Sequence, residues 1–143
     1  MLNFEYYTPT KVVFGKHAED QAGELVKSCG CKKVLVHYGG QSAKKSGLLD
    51  RIYASLDAAG IDYVSLGGVV PNPRLSKVYE GIELCKKEGV DFLLPVGGGS
   101  VIDSAKAIGL GTVSEGDVWD YFIGEREPEH TLPVAVLLTC PAT

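Results

Sequence analysis

Four short apolar runs rich in β-branched residues, at 33–38, 61–66, 91–96 and 133–138, limit this chain to a small set of folds. Each has the length of a buried strand. Between them, Leu49, Ile52, Tyr53 and Leu56 share one helical face, as do Leu75, Val78, Tyr79, Ile82 and Cys85. Strands alternating with helices in this way predict an α/β fold, a parallel sheet covered by helices on both faces. An earlier helix is expected over about 17–28, stopping at Gly30, and a later one from Ser100 to about Leu110, stopping at Gly111. Residues 2–14 alternate weakly and carry Tyr6 and Tyr7, which reads as an N-terminal edge strand or hairpin. Residues 124–130 read as a solvent loop. With 143 residues and 45% hydrophobic content, one domain spanning 1–143 is expected.

The formal net charge of −4 argues against a nucleic-acid backbone or an anionic membrane as partner, since both favour a basic patch. The N-terminus has no basic stretch leading into an apolar run, and no segment approaches the roughly 18 apolar residues of a membrane span. A cytoplasmic protein is expected. Of the four cysteines, only Cys29 and Cys31 lie close, one residue apart. Zinc knuckles and redox pairs usually need two intervening residues, so all four read as free thiols.

Parallel sheets bind ligands beyond the carboxyl ends of their strands, where strand order reverses. All four such ends here carry small or hydroxylated residues: Gly39-Gly40-Gln41-Ser42, Gly67-Gly68 running on to Pro71-Asn72-Pro73, Gly97-Gly98-Gly99-Ser100, and Thr139-Cys140-Pro141-Ala142-Thr143. The third is the most telling. Glycines let backbone N–H groups approach an anion, and the positive end of the following helix dipole adds attraction, so a phosphate-bearing nucleotide is the expected ligand. The run is neither the G-x-G-x-x-G nor the G-x-x-x-x-G-K-[ST] fingerprint. A purely structural reading stands beside it: the glycines turn the chain, and Ser100 with Asp103 forms a capping box.

Val96-Gly97-Gly98-Gly99-Ser100 with Asp103 and Lys106, Pro71-Asn72-Pro73 and the segment 139–143 together resemble the iron-containing alcohol dehydrogenases over the whole chain. Residues 38–47 look like the butanol-dehydrogenase branch, whose members reduce aldehydes with NADPH or NADH. The resemblance implies a Rossmann-like fold in which Gly97, Gly98, Gly99 and Ser100 hold the pyrophosphate and Asn72 borders the adenosine side. It also implies that Thr139 and Thr143 line the cleft and that Asp103 sits near the nicotinamide. In NAD-preferring members an acidic residue receives the adenine ribose hydroxyls at the position matched here by Gly40, beside Gly39. That glycine, with Ser42 and Lys44 or Lys45 nearby, makes NADP(H) the expected cofactor in preference to NAD(H).

Intact members continue into a helical domain whose aspartate and three histidines hold Fe²⁺ or Zn²⁺, a domain the 143 residues do not contain. The histidines here, His17, His37 and His130, lie on a helix start, a strand and a loop, with no i, i+3 or i, i+4 pair. No metal ligand and no catalytic residue is therefore expected in this chain. It reads as the cofactor half of an alcohol–aldehyde oxidoreductase, inactive alone. Self-association through the edge segment 2–14 is a further expectation. Two other readings remain: a non-catalytic nucleotide-binding or assembly domain, and the cofactor domain of a glycerol dehydrogenase or sugar-phosphate cyclase.

Overall fold

The apolar runs become strands because each is covered from both sides. In the computed structural model, which describes residues 3–140, β1 (Lys33–Tyr38), β2 (Asp62–Leu66), β3 (Phe92–Gly97) and the short β4 (Leu137–Leu138) form one parallel sheet. The strand order is β2-β1-β3-β4. Val34, Val36 and Tyr38 on one face of β1 join Phe92, Leu94 and Val96 of β3. They pack against Val26 of α1 (Ala22–Ser28) and Leu49, Ile52 and Leu56 of α3 (Leu48–Ala59). On the other face Leu35, Leu66 and Leu93 meet Val78, Ile82 and Cys85 of α4 (Leu75–Glu88) and Ile108 of α5 (Gly99–Val113). Each side chain so buried contributes roughly 1.5–3 kcal/mol, which is what holds a sheet between two helical layers.

Several boundaries differ from expectation, each for a physical reason. The first helical stretch is a 3₁₀ turn (Ala18–Gln21) leading into α1. α5 runs through Gly111 to Val113 instead of stopping there. Gly111 is a packing glycine: a Cβ at this position would collide with Ile82 of α4, and one at Gly81 of α4 would collide with Ile108 of α5. Each helix thus offers a glycine notch to the other's isoleucine. The fourth run pairs only at Leu137–Leu138, with a separate bridge between Val134 and Leu93. Leu93 N–H donates to the Pro133 carbonyl and Ala135 N–H to the Leu93 carbonyl, while Thr139 N–H donates to Gly97. Pro95 falls between those bonds on the same side of β3 and has no N–H to give, so the ladder is interrupted there.

Residues 3–14 carry neither helix nor strand. Weak alternation becomes a strand only where a sheet edge accepts its hydrogen bonds, and among the described residues neither edge strand, β2 nor β4, pairs with this segment. Phe4, Tyr6, Tyr7, Val12 and Phe14 are consequently 80–99% exposed. Cys29, Cys31, Cys85 and Cys140 are all free. No helix among the described residues is long and apolar enough to cross a membrane.

Candidate functional site

β1 leads through α2 (Ser42–Lys45) and α3 to β2 on one side of it, whereas β3 leads through α5 and α6 (Trp119–Phe122) to β4 on the other. Strand order therefore reverses between the carboxyl ends of β1 and β3, where Tyr38 pairs with Val96. An open parallel sheet leaves a crevice at such a point. Its banks are Tyr38-Gly39-Gly40 on β1 and Gly97-Gly98-Gly99-Ser100 on β3.

α5 begins at Gly99, and its N-cap is Gly98, in an extended conformation (φ −95°, ψ −167°) that any residue adopts. No side chain caps the helix. The Gly98 carbonyl already receives the N–H groups of Val101 and Ile102, at 3.1 and 3.2 Å, so Ser100 is inside the first turn. The expected capping box between Ser100 and Asp103 does not form, because a cap side chain must start from outside the helix to fold back on it. Asp103 lies exposed on α5.

A Cβ at Gly97 would press on the Val101 side chain at 2.7 Å, and one at Gly39 would make ordinary contact with the Val69 carbonyl at 3.4 Å. At Gly98 a Cβ would meet only the Cys140 carbonyl, at 3.8 Å, and at Gly99 and Gly40 it would meet nothing within 4 Å. None of these residues has positive φ. Neither backbone strain nor internal packing accounts for Gly98, Gly99 and Gly40, and what they provide is open space beside an uncapped helix start. That space fits a phosphate-bearing ligand drawn close to backbone N–H groups.

Beside β1 the crevice deepens into a cleft of about 350 Å³ lined by Tyr38, Gly39, Gly40, Gln41, Lys44, Leu66, Gly67, Gly68 and Glu80. Its far wall is hooked to β1, since Gly68 N–H donates to Gly39 at 2.9 Å and Val69 N–H to Tyr38 at 3.3 Å. Gly67 must be glycine because a Cβ would enter the Tyr38 ring. The Lys44 ammonium lies 5.3 Å from the centre of the same ring, which holds a positive charge at the mouth. Glu80 reaches the cleft from α4 with its charge offset by Lys77 at 2.6 Å.

Gly39, Gly40, Gly97, Gly98, Gly99, Ser100 and Thr139 thus come together at one sheet edge, with Ser42 at the start of α2 just beyond. Thr139 is fixed beside the glycine turn by its 3.1 Å bond to Gly97. Asn72 follows β2 on this edge in the left-handed region (φ 57°), which asparagine tolerates better than most residues. Thr143 lies outside the described residues. The sequence places Gly67 and Gly68 among the strand ends expected to face a ligand but does not single out Tyr38 and Glu80 as cleft walls. The glycine pair was a usable signal, but nothing local marks Glu80.

The sequence marks His37 only as a strand residue. It is fully buried, its Nδ1 2.8 Å from the Leu66 carbonyl and its Nε2 2.8 Å from the Ser104 hydroxyl. Nδ1 therefore donates and Nε2 accepts, and burial pushes the imidazole pKa down to about 4. With both nitrogens engaged, His37 is no metal ligand. The one cluster of three close donor side chains among the described residues, His17, Glu19 and Asp20, sits at the surface ahead of α1. The crevice itself assembles no donor set for a metal among those residues.

The family model of the iron-containing alcohol dehydrogenases matches residues 9–143. The chain belongs to that family. Among curated relatives, a probable NADH-dependent butanol dehydrogenase of Bacillus subtilis is 46% identical over all 143 residues. The NADPH-dependent aldehyde reductase YqhD of Escherichia coli is 36% identical, also over the whole chain. Each of these relatives has only 37% of its own length covered. The chain thus spans a little over a third of them. The crystal structure of an NADH-dependent butanol dehydrogenase A from Thermotoga maritima superimposes with a TM-score of 0.95 at 50% identity, over 99% of this chain and 35% of that one. The expected Rossmann-like α/β fold is the fold observed.

Proposed function

We propose that this chain is the dinucleotide-holding part of an enzyme that interconverts alcohols and aldehydes, with NADP(H) preferred over NAD(H). One observation carries the reading: Gly98 and Gly99 leave open space at the strand-order switch, beside a helix start that no side chain caps. The pyrophosphate would lie against Gly97–Ser100, with the adenosine in the cleft beside β1 bordered by Asn72, and with Thr139 lining the crevice beside the glycine turn. Asp103 would stand toward the nicotinamide side. When bound, the dinucleotide supplies or accepts the hydride. This chain's residues bind and orient it, through backbone N–H groups at the phosphates and side chains along the cleft.

The preference for a 2′-phosphate rests on Gly40, which leaves room, on Ser42, which can donate a hydrogen bond, and on Lys44, which lines the cleft. The names of the more similar relatives favour NADH instead. Titrating both reduced cofactors against the chain decides between them: tighter NADPH binding is expected, and equal or tighter NADH binding overturns the preference. The Fe²⁺ or Zn²⁺ of the family has no donor set in the crevice among the described residues, and no chemical step of this chain is routed through it. We infer that those donors lie outside these 143 residues, so the chain alone should turn over no alcohol or aldehyde with either ion supplied. Butanol oxidation above a metal-free control would show otherwise.

The central test is Gly98→Val. Valine adopts the extended conformation of Gly98 without strain, and its Cβ has room, so the circular dichroism spectrum should be unchanged. Nucleotide affinity should nevertheless be mostly lost, because the side chain takes the space of the pyrophosphate. Retained affinity would sink the reading. We further place the protein in the cytoplasm, where free thiols stay reduced, and propose that exposed residues 3–14 mediate association with a second copy.

A further inference from the structure

Beneath the crevice lies a polar bridge that the surrounding apolar core does not need for burial. His37 projects from β1 on the face covered by α4 and α5, fully buried, with both ring nitrogens bonded at 2.8 Å. An aliphatic side chain would fill such a place without requiring two aligned polar partners. The partners are not arbitrary. Leu66 is the last residue of β2 and immediately precedes Gly67 and Gly68, which form the far wall of the cleft. Ser104 is in the second turn of α5, the helix whose first residues are the glycine turn. Apolar contacts between α5 and the sheet resist separation but say little about axial position, whereas a hydrogen bond is directional and short-ranged. One imidazole, held in a single orientation by its own strand, therefore ties the end of β2 and the start of α5 to β1.

We propose that His37, acting through Leu66 and Ser104, is a positioning residue that sets the spacing between the bank formed by the ends of β1 and β2 and the bank formed by the glycine turn, and with it the preference for ligands that span both. The proposal rests on the dinucleotide reading of the crevice. A ligand that touches one bank needs no particular spacing. A dinucleotide, with its adenosine on the β2 side and its pyrophosphate at the glycine turn, needs both banks at one distance, and binding loses free energy if the protein must first find it.

The experiment compares three probes against the 143-residue chain: NADPH, adenosine 2′-monophosphate and inorganic pyrophosphate. In Ser104→Ala, which leaves the His37 Nε2 without its donor, the Kd for NADPH is expected to rise about tenfold. The two short probes should stay within about a factor of two of the wild type, since neither bridges the banks. His37→Leu should behave alike; should it fail to fold, Ser104→Ala carries the test alone. Ile52→Val, a core change on the opposite face expected to lower stability modestly, controls for loss of stability and should leave all three affinities unchanged. Unchanged NADPH binding in Ser104→Ala, or equal weakening of all three probes, overturns the positioning role while leaving the dinucleotide site standing. If the wild-type chain binds none of the probes, the dinucleotide reading falls first and this one with it.

Discussion

Single atoms at the crevice decide what it accepts. Nothing stands within 4 Å of where a Cβ would be at Gly40, so Gly40→Asp has room for its side chain and should fold normally. Its carboxylate would accept bonds from ribose hydroxyls and repel a 2′-phosphate. A hydrogen bond to a charged group contributes about 1.5–3 kcal/mol, so a shift of roughly ten- to a hundredfold from NADPH toward NADH is expected in fluorescence titrations. His37 makes a separate prediction about pH. Burial lowers its folded-state pKa from 6.5 to about 4, so the unfolded chain binds more protons between those values. Its contribution is complete above about pH 6.5, is lost as the pH falls toward 4, and changes no further below that. The loss is on the order of 3 kcal/mol. Urea melts at pH 7.5 and 4.5 should show the wild type losing stability relative to His37→Leu at the lower pH; a constant difference would mean that the folded-state imidazole titrates as it does in the unfolded chain.

Between elements, glycine works mainly as a notch. The N–H of Gly23 in α1 donates to the Ser55 hydroxyl of α3 at 2.9 Å, and a Cβ at Gly23 would run into the Ser55 backbone carbonyl. Backbone cannot swing aside as a side-chain tip can. Gly23→Ala should therefore cost about 1–3 kcal/mol by overpacking, more than the gain of up to about 1 kcal/mol that alanine brings to a helix. A urea midpoint at or above that of the wild type would show that α1 and α3 separate easily. The same logic explains why Gly111 did not end α5. Read along the chain, glycine after an apolar helix is a stop signal; read across the helix pair, it receives Ile82. Pro95 shows the complementary case, in which a residue compatible with its own strand removes a bond its neighbour needed.

For the molecule as a whole, the unmatched surface is the segment ahead of the sheet. Five large apolar or aromatic side chains between Phe4 and Phe14 are almost fully exposed, so the chain should associate in sedimentation velocity as concentration rises. Replacing Phe4, Tyr6 and Phe14 together by serine should abolish that; unchanged association would place the contact elsewhere. The sequence by itself determined the parallel α/β architecture, the limits of β1 to a residue, and the crowding of glycines at one sheet edge. These depend on local periodicity and on the chirality of strand–helix–strand units, which any chain with this pattern obeys. Tertiary structure alone decided that Gly98 caps α5 in place of Ser100, that α5 passes Gly111, and that residues 3–14 find no strand partner among the described residues. It also placed His37 between Leu66 and Ser104, and Glu80 in the cleft wall. Each of those outcomes is a contact between residues distant in the chain, and a contact has no periodicity from which to read it.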